Sequence, residues 1–150
     1  MRFFDEIGTR AILFDGAMGT QIQGLSLAES DWGGYPGCNE ILNISAPERI
    51  EGIHRAYLAA GADVIETNTF GANRVVLADY GLSDRTDELN EAAARIARKA
   101  ADEASTRGQD TCASGALEAH ASGVLDTCAS GVLDTRGRRR YVAGSMGPGT

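Results

Sequence analysis

The 150-residue sequence has little proline (3 residues), a single tryptophan, an odd number of cysteines (3) and no long apolar run. Each shortage excludes something. Without a stretch of roughly 18 apolar residues there is no candidate membrane span, and residues 1–10 have neither the basic start nor the apolar stretch of a signal peptide. Three cysteines in differing surroundings give no disulfide framework and fit a reducing, cytoplasmic setting. Positive charge is also short: 14 Lys plus Arg face 21 Asp plus Glu, a formal net charge of −7, which argues against nucleic acid as a partner. What remains is ordinary for a soluble domain. Hydrophobic residues are 43% and charged residues 23%, so disorder is not expected, and the length first suggests one domain, 1–150, with a real core.

Glycine is the exception, at 19 of 150 residues against a usual share of about 7%. Its placement follows the expected elements. Ala11, Ile12, Leu13 and Phe14 form a short apolar run that breaks at Asp15-Gly16-Ala17-Met18-Gly19-Thr20, the pattern of a buried strand delivering a backbone-rich loop. Residues 21–43 lack a sustained period and read as mostly excursion. Ser45, followed three residues later by Glu48 with Pro47 between, predicts a capping-box start to a helix. Its apolar stripe is Ile50, Ile53, Tyr57 and Leu58, and Gly61 is its stop. A β-branched strand is expected over 63–70. A second helix is expected over 87–103 from Leu89, Ala92, Ala93, Ile96 and Ala100, and Tyr141-Val142-Ala143-Gly144 reads as a third strand. Strand, helix, strand, helix, strand argues for a parallel α/β fold, whose ligands sit at the carboxyl ends of the strands.

Some glycine has another origin. Residues 112–135 divide into three near-identical octapeptides, beginning at Cys112, His120 and Cys128. Three copies of eight residues are too few and too short for a packed array, so they read as a tandem duplication inserted between the second helix and the third strand. The basic run over 136–140 reads as its solvated continuation. Cys112, His120 and Cys128 are zinc-binding types, but each occupies the same slot of one repeat, so duplication alone explains their spacing. Cys38 reads as a lone free thiol.

Two readings of the 15–20 segment are open. Small residues let a ligand approach backbone amides suited to a carboxylate, with Asp15 placed to hold an ammonium group; alternatively the segment is a tight turn with a solvated Asp. Glu66, Thr67, Asn68 and Thr69 crowd the end of the second strand, where a pocket lining and a set of loop-closing side-chain bonds compete as explanations. His54 reads as a packing or surface residue. No nucleophilic triad, Walker loop or dinucleotide fingerprint is present, and Gly144-Ser145-Met146-Gly147 does not meet Gly-x-Ser-x-Gly, leaving Ser145 as a loop former.

Residues 12–20, 45–57, 60–70 and 141–148 together resemble the homocysteine S-methyltransferase domain, through Asp-Gly-x-Met-Gly-Thr at 15–20 and Glu-Thr-Asn-Thr-Phe at 66–70. The likeness is nearest to the N-terminal domain of cobalamin-dependent methionine synthases, and the repeat lies outside it. The resemblance implies the first three β/α units of a (β/α)8 TIM-type barrel, incomplete here because such a barrel takes about 250 residues. It implies methyl transfer to the homocysteine thiolate, giving methionine, with zinc and cobalamin as cofactors of the complete protein and its methylcobalamin and folate domains as partners. Asp15, Gly16, Ala17, Met18, Gly19 and Thr20 would then line the homocysteine site, with Glu66, Asn68 and Thr69 beside them. The family's zinc cysteines belong to later strands, so no zinc or catalytic role passes to Cys38, Cys112 or Cys128, and the chain alone is expected to be inactive. A stand-alone homocysteine methyltransferase with another methyl donor and a non-catalytic truncated product are the alternatives.

Overall fold

The computed structural model describes residues 3–110 and 139–147. The expected insert at 112–135, with Cys112, His120 and Cys128, lies outside the described residues, as do residues 136–138 of the basic run. In chain order the elements are α1 (Phe3–Glu6), α2 (Met18–Gly24), α3 (Leu42–Ser45), α4 (Pro47–Ala59), β1 (Val64–Glu66), α5 (Arg74–Ala78), α6 (Thr86–Asp110) and β2 (Tyr141–Ala143). Single 3-10 turns occupy Glu29–Trp32, Asn39–Ile41 and Ser83–Arg85.

The two expected helices form and pack on each other. In α4, Ile50, Ile53, His54 and Leu58 are buried, the i, i+3, i+4, i+8 spacing of one helical face. On α6, Leu89, Ala93, Ile96, Ala97, Ala100 and Ala101 are buried, and their small side chains let Leu58 and Ile65 close against the helix. The start of α4 differs from expectation. No capping box forms: the N-cap is Ala46, which has no side-chain acceptor, and Ser45 Oγ donates instead to the Ile41 and Asp31 carbonyls. Ser45 is the last residue of α3, so its hydroxyl is within reach of its own helix rather than of the next one. Pro47 supplies the fixed φ at the first helical position. The far end is as expected. Gly61 adopts φ +108°, its amide donates to Leu58 O and the Ala62 amide to Tyr57 O, the paired bonds of a Schellman stop.

The sheet is parallel, with Val64 opposite Tyr141, Ile65 opposite Val142 and Glu66 opposite Ala143. Segment 11–14 flanks β1 on its other side but is not a full strand. Phe14 makes one parallel bridge with Val64, Leu13 O accepts from the Asp63 and Val64 amides, and the Asp15 amide donates to Val64 O. Leu13 and Phe14 are 41% and 53% exposed, so this edge segment lacks the second ladder that would regularise it. The strand expected over 63–70 ends at Glu66 because Thr67–Thr69 turn toward the loop after β2. The expected excursion at 21–43 also differs: α2 begins inside the predicted glycine loop, and Ile22, Cys38, Ile41 and Leu42 are core residues.

The strand starts are tied by charge. Buried Asp63 accepts from Arg10 at 2.7 and 3.1 Å, from the Leu13 amide at 3.1 Å and from Arg140 at 3.3 Å. Glu6 pairs with Arg10 at 2.6 Å and accepts from the Tyr141 hydroxyl at 2.6 Å. Arg140, expected in a solvated linker, is only 3% exposed and also donates to Ala62 O, because its guanidinium reaches the carboxylate at the start of β1. No helix among the described residues is long and apolar enough to cross a membrane.

Candidate functional site

A 460 Å³ cavity opens at the opposite, carboxyl ends of the three parallel segments. Its lining brings together Asp15, Gly16, Ala17, Met18 and Gly19 from the first loop and Glu66 and Asn68 from the second. Two of the sequence-predicted residues stand outside the lining. Thr20 is exposed on α2, and Thr69 is buried behind the second loop, where its hydroxyl bonds Thr67 and Ser145. Among the described lining residues, Asn39, Glu40, Phe70 and Ser145 were not singled out for the site, and Thr67 was named only within the strand-end cluster. Thr67 stood in the same polar cluster as Glu66 and Asn68. Asn39 and Glu40 carried only a weak signal, polar residues just ahead of the apolar pair Ile41 and Leu42.

Local folding explains the geometry. The Asp15 carboxylate accepts the Glu66 amide at 2.9 Å, tying the first loop to the end of β1. Burial pushes the Asp15 carboxyl above its usual range, the Glu66 amide works against that shift, and the Glu66 charge adds to it. Gly16 passes over Tyr57 of α4, where an added Cβ would come within 2.9 Å of the Tyr57 hydroxyl oxygen. The close approach of that loop therefore depends on a missing side chain. Asn68 Nδ2 donates to Asn39 O at 2.8 Å and to Asn43 Oδ1 at 3.2 Å, while Asn43 Nδ2 donates to Asn68 O at 2.8 Å. This buried amide pair fastens the second loop to the turn carrying Asn39 and Glu40. Glu40 Oε1 accepts the Gly71 amide at 2.8 Å, closing the same wall.

Among the described residues the lining holds three carboxylates, Asp15, Glu40 and Glu66, and no Lys, Arg or His. A ligand's ammonium group is matched there by charge, whereas a carboxylate has to find backbone amides.

Zinc does not fit the described residues. Among them no three His, Cys, Asp or Glu side chains gather as metal ligands. Cys38 is fully buried among Ile41, Leu77, Leu82 and Leu89, and burial pushes its thiol further from ionisation, the opposite of what a thiolate ligand needs. His54 is also fully buried, neither ring nitrogen has a hydrogen-bond partner, and burial drives its pKa down to about 4, so it packs as a neutral ring.

Comparison with known proteins adds the family. A model of the homocysteine S-methyltransferase family matches residues 12–150. The chain is 42% identical over 146 residues to methionine synthase of Mycobacterium tuberculosis (strain ATCC 25618 / H37Rv), and 40% identical over 146 residues to methionine synthase of Mycobacterium leprae (strain TN). Each alignment covers 97% of this chain and 10% of the relative, so the chain spans about a tenth of the length of these curated relatives. In fold it is similar to the metallated form of the homocysteine methyltransferase MmuM from Escherichia coli, with a TM-score of 0.62 and 24% identity over 96% of this chain and 40% of that one. The parallel α/β arrangement, the glycine loop at the mouth of the cavity and the family match over nearly the whole sequence lead to one conclusion: the chain belongs to the homocysteine S-methyltransferase family.

Proposed function

We propose that the cavity holds the amino-acid end of homocysteine, for methyl transfer to its sulfur in the complete protein. The observation that carries this reading is the convergence of Asp15, the 16–19 loop, Glu66 and Asn68 on one cavity whose described lining has acidic side chains and no basic ones. In this reading Asp15 takes the ammonium group, and its half-buried carboxylate recovers in that pair the hydration it lost on folding. The substrate carboxylate lies against the amides of the 16–19 loop, whose small residues allow the approach. Held at both ends, the amino acid has one direction left for its thiol-bearing arm, so the chain contributes orientation rather than bond chemistry. The methyl donor by this reading is methylcobalamin, recharged from methyltetrahydrofolate on other domains, and the 40–42% identity to methionine synthases supports it. The 150 residues alone are expected to form no methionine.

The test is Asp15→Asn in the complete protein, with homocysteine binding measured calorimetrically. A hydrogen bond to a charged group contributes about 1.5–3 kcal/mol, so affinity should fall roughly 10- to 150-fold. Unchanged affinity in the variant would remove Asp15 from the site.

A further inference from the structure

We infer that Thr67 and Thr69 form a hydroxyl relay that positions Ser145 in the cavity wall, making Thr69 a positioning residue for the bound amino acid rather than a residue that touches it. This rests on the proposed homocysteine site for its ligand, but its geometry stands independently. The Ser145 amide donates to Thr67 Oγ1 at 3.2 Å, the two threonine hydroxyls lie 2.6 Å apart, and Thr69 Oγ1 lies 2.7 Å from Ser145 O. A carbonyl can only accept, so the one hydrogen of Thr69 goes to Ser145 O. Thr69 Oγ1 must then accept from Thr67, and Thr67 Oγ1 is left to accept from the Ser145 amide. Every donor therefore points the same way around a closed ring, the arrangement in which neighbouring bonds strengthen one another.

The ring is shielded: Thr67 and Thr69 are 6% and 7% exposed. It fixes both backbone polar groups of a single residue, Ser145, which lines the cavity. The adjoining backbone is held too. The Thr67 amide donates to Ala143 O at 2.9 Å and the Gly147 amide to Phe70 O at 2.8 Å. A Cβ on Gly147 would meet Phe70 O at 2.5 Å, so the two loops approach as closely as glycine allows. With its amide and carbonyl both committed, Ser145 has its hydroxyl left over, and among the described residues no side chain or backbone group bonds it. The next residue, Met146, is 90% exposed, so no packing of its side chain holds the loop in place of the ring.

The experiment uses the complete protein with Thr69→Val, Thr69→Cys and Thr69→Ser. Two quantities are read: amide hydrogen exchange at residues 145–147, and homocysteine affinity. Val removes the donor at nearly constant shape, Cys weakens it, and Ser retains it. Loss of a buried hydrogen bond should speed exchange at the Ser145 amide by about tenfold or more in Thr69→Val, with Cys intermediate and Ser matching the parent. Homocysteine affinity should fall in the same order and recover in Thr69→Ser. If Thr69→Val does not fold, the Cys and Ser pair decides, since the predicted order applies to them alone. Exchange unchanged in Val and Cys overturns the relay, and faster exchange with unchanged affinity overturns its role in ligand positioning. If the parent protein itself binds no homocysteine, the substrate reading fails, and the relay is decided on the exchange order alone.

Discussion

At the residue scale, His54 shows how burial decides what a titratable group can do. The imidazole faces the apolar side of α4 with both nitrogens unpartnered, and the nearest opposing charge, Glu51, is committed to Arg55 and Lys99. Its folded pKa of about 4 lies below the ordinary value of 6.5. The unfolded chain therefore takes up a proton as pH falls through 6.5 while the folded chain does not, so stability contributed by the neutral ring is lost between pH 6.5 and 4. The full effect is about 3 kcal/mol. His54→Leu, similar in volume and with no polar atoms to desolvate, should match or exceed the parent at pH 7.5 and exceed it clearly at pH 5, measured as urea midpoints. A loss of more than about 1 kcal/mol at pH 7.5 would show that the ring has a partner worth keeping. The sequence left His54 as a packing or surface residue, and its place beside buried Ile50, Ile53 and Leu58 on α4 makes it packing. Thr69 was legible only as a polar residue at a strand end. Whether such a hydroxyl meets a ligand or another loop depends on a segment 76 residues away.

At the element scale, periodicity carried well and boundaries did not. Both long helices follow from apolar spacing, since burial of one face against β1 outweighs local detail. The capping box failed because Ser45 had competing carbonyls at Ile41, just ahead of α3, and at Asp31, and the first strand shrank to one bridge because a single ladder supports it. Helix α5 went unread although its signal was present. Asn73 caps it, with Oδ1 accepting from the Val75 and Val76 amides, but five residues are too short for a period to register. The glycines of α4 make the point testable. Gly61 sits at φ +108° in its Schellman stop, whereas Gly52 lies mid-helix, exposed and with nothing within 4 Å of an added Cβ. The same substitution should thus act in opposite directions. Gly61→Ala should cost about 1–2 kcal/mol through left-handed strain, and Gly52→Ala should gain about 0.5–1 kcal/mol through helix propensity. Thermal midpoints that move the same way for both would refute the assignment of strain to Gly61.

At the scale of the whole molecule, the two ends of the sheet have separate tasks. The carboxyl ends carry the cavity, and the starts carry the Glu6, Arg10, Asp63, Arg140 and Tyr141 network, which joins the N-terminal turn, the 11–14 segment, β1 and β2. None of this network was legible, because apart from the local pair of Glu6 and Arg10 its bonds span 53 to 135 residues and composition shows only a basic run after a repeat. The cavity was partly legible because its walls at 15–19, 66–68 and Ser145 follow directly from the parallel segments, whereas the turn carrying Asn39 and Glu40 does not. Asp63 is the hub. Burial pushes its carboxyl upward, but the Arg10 hydrogen bonds, the Leu13 amide and the two guanidinium charges outweigh that and hold it below the usual value of 3.8. A depressed folded pKa means the contribution is complete above about pH 4 and is lost only as pH falls below 3.8 toward the folded value. Near neutrality the network should therefore be insensitive to pH and sensitive to mutation. Asp63→Asn leaves Arg140 buried beside a neutral amide, and breaking a buried pair in this way costs about 3–5 kcal/mol. Adding Arg140→Met measures the pairing, because the second substitution should cost less on the Asp63→Asn background than in the parent, a coupling that denaturation of the parent, both singles and the double would measure. If the two losses simply add, Asp63 and Arg140 do not act as a pair, and Asp63 ties the strand starts through Arg10 and the Leu13 amide.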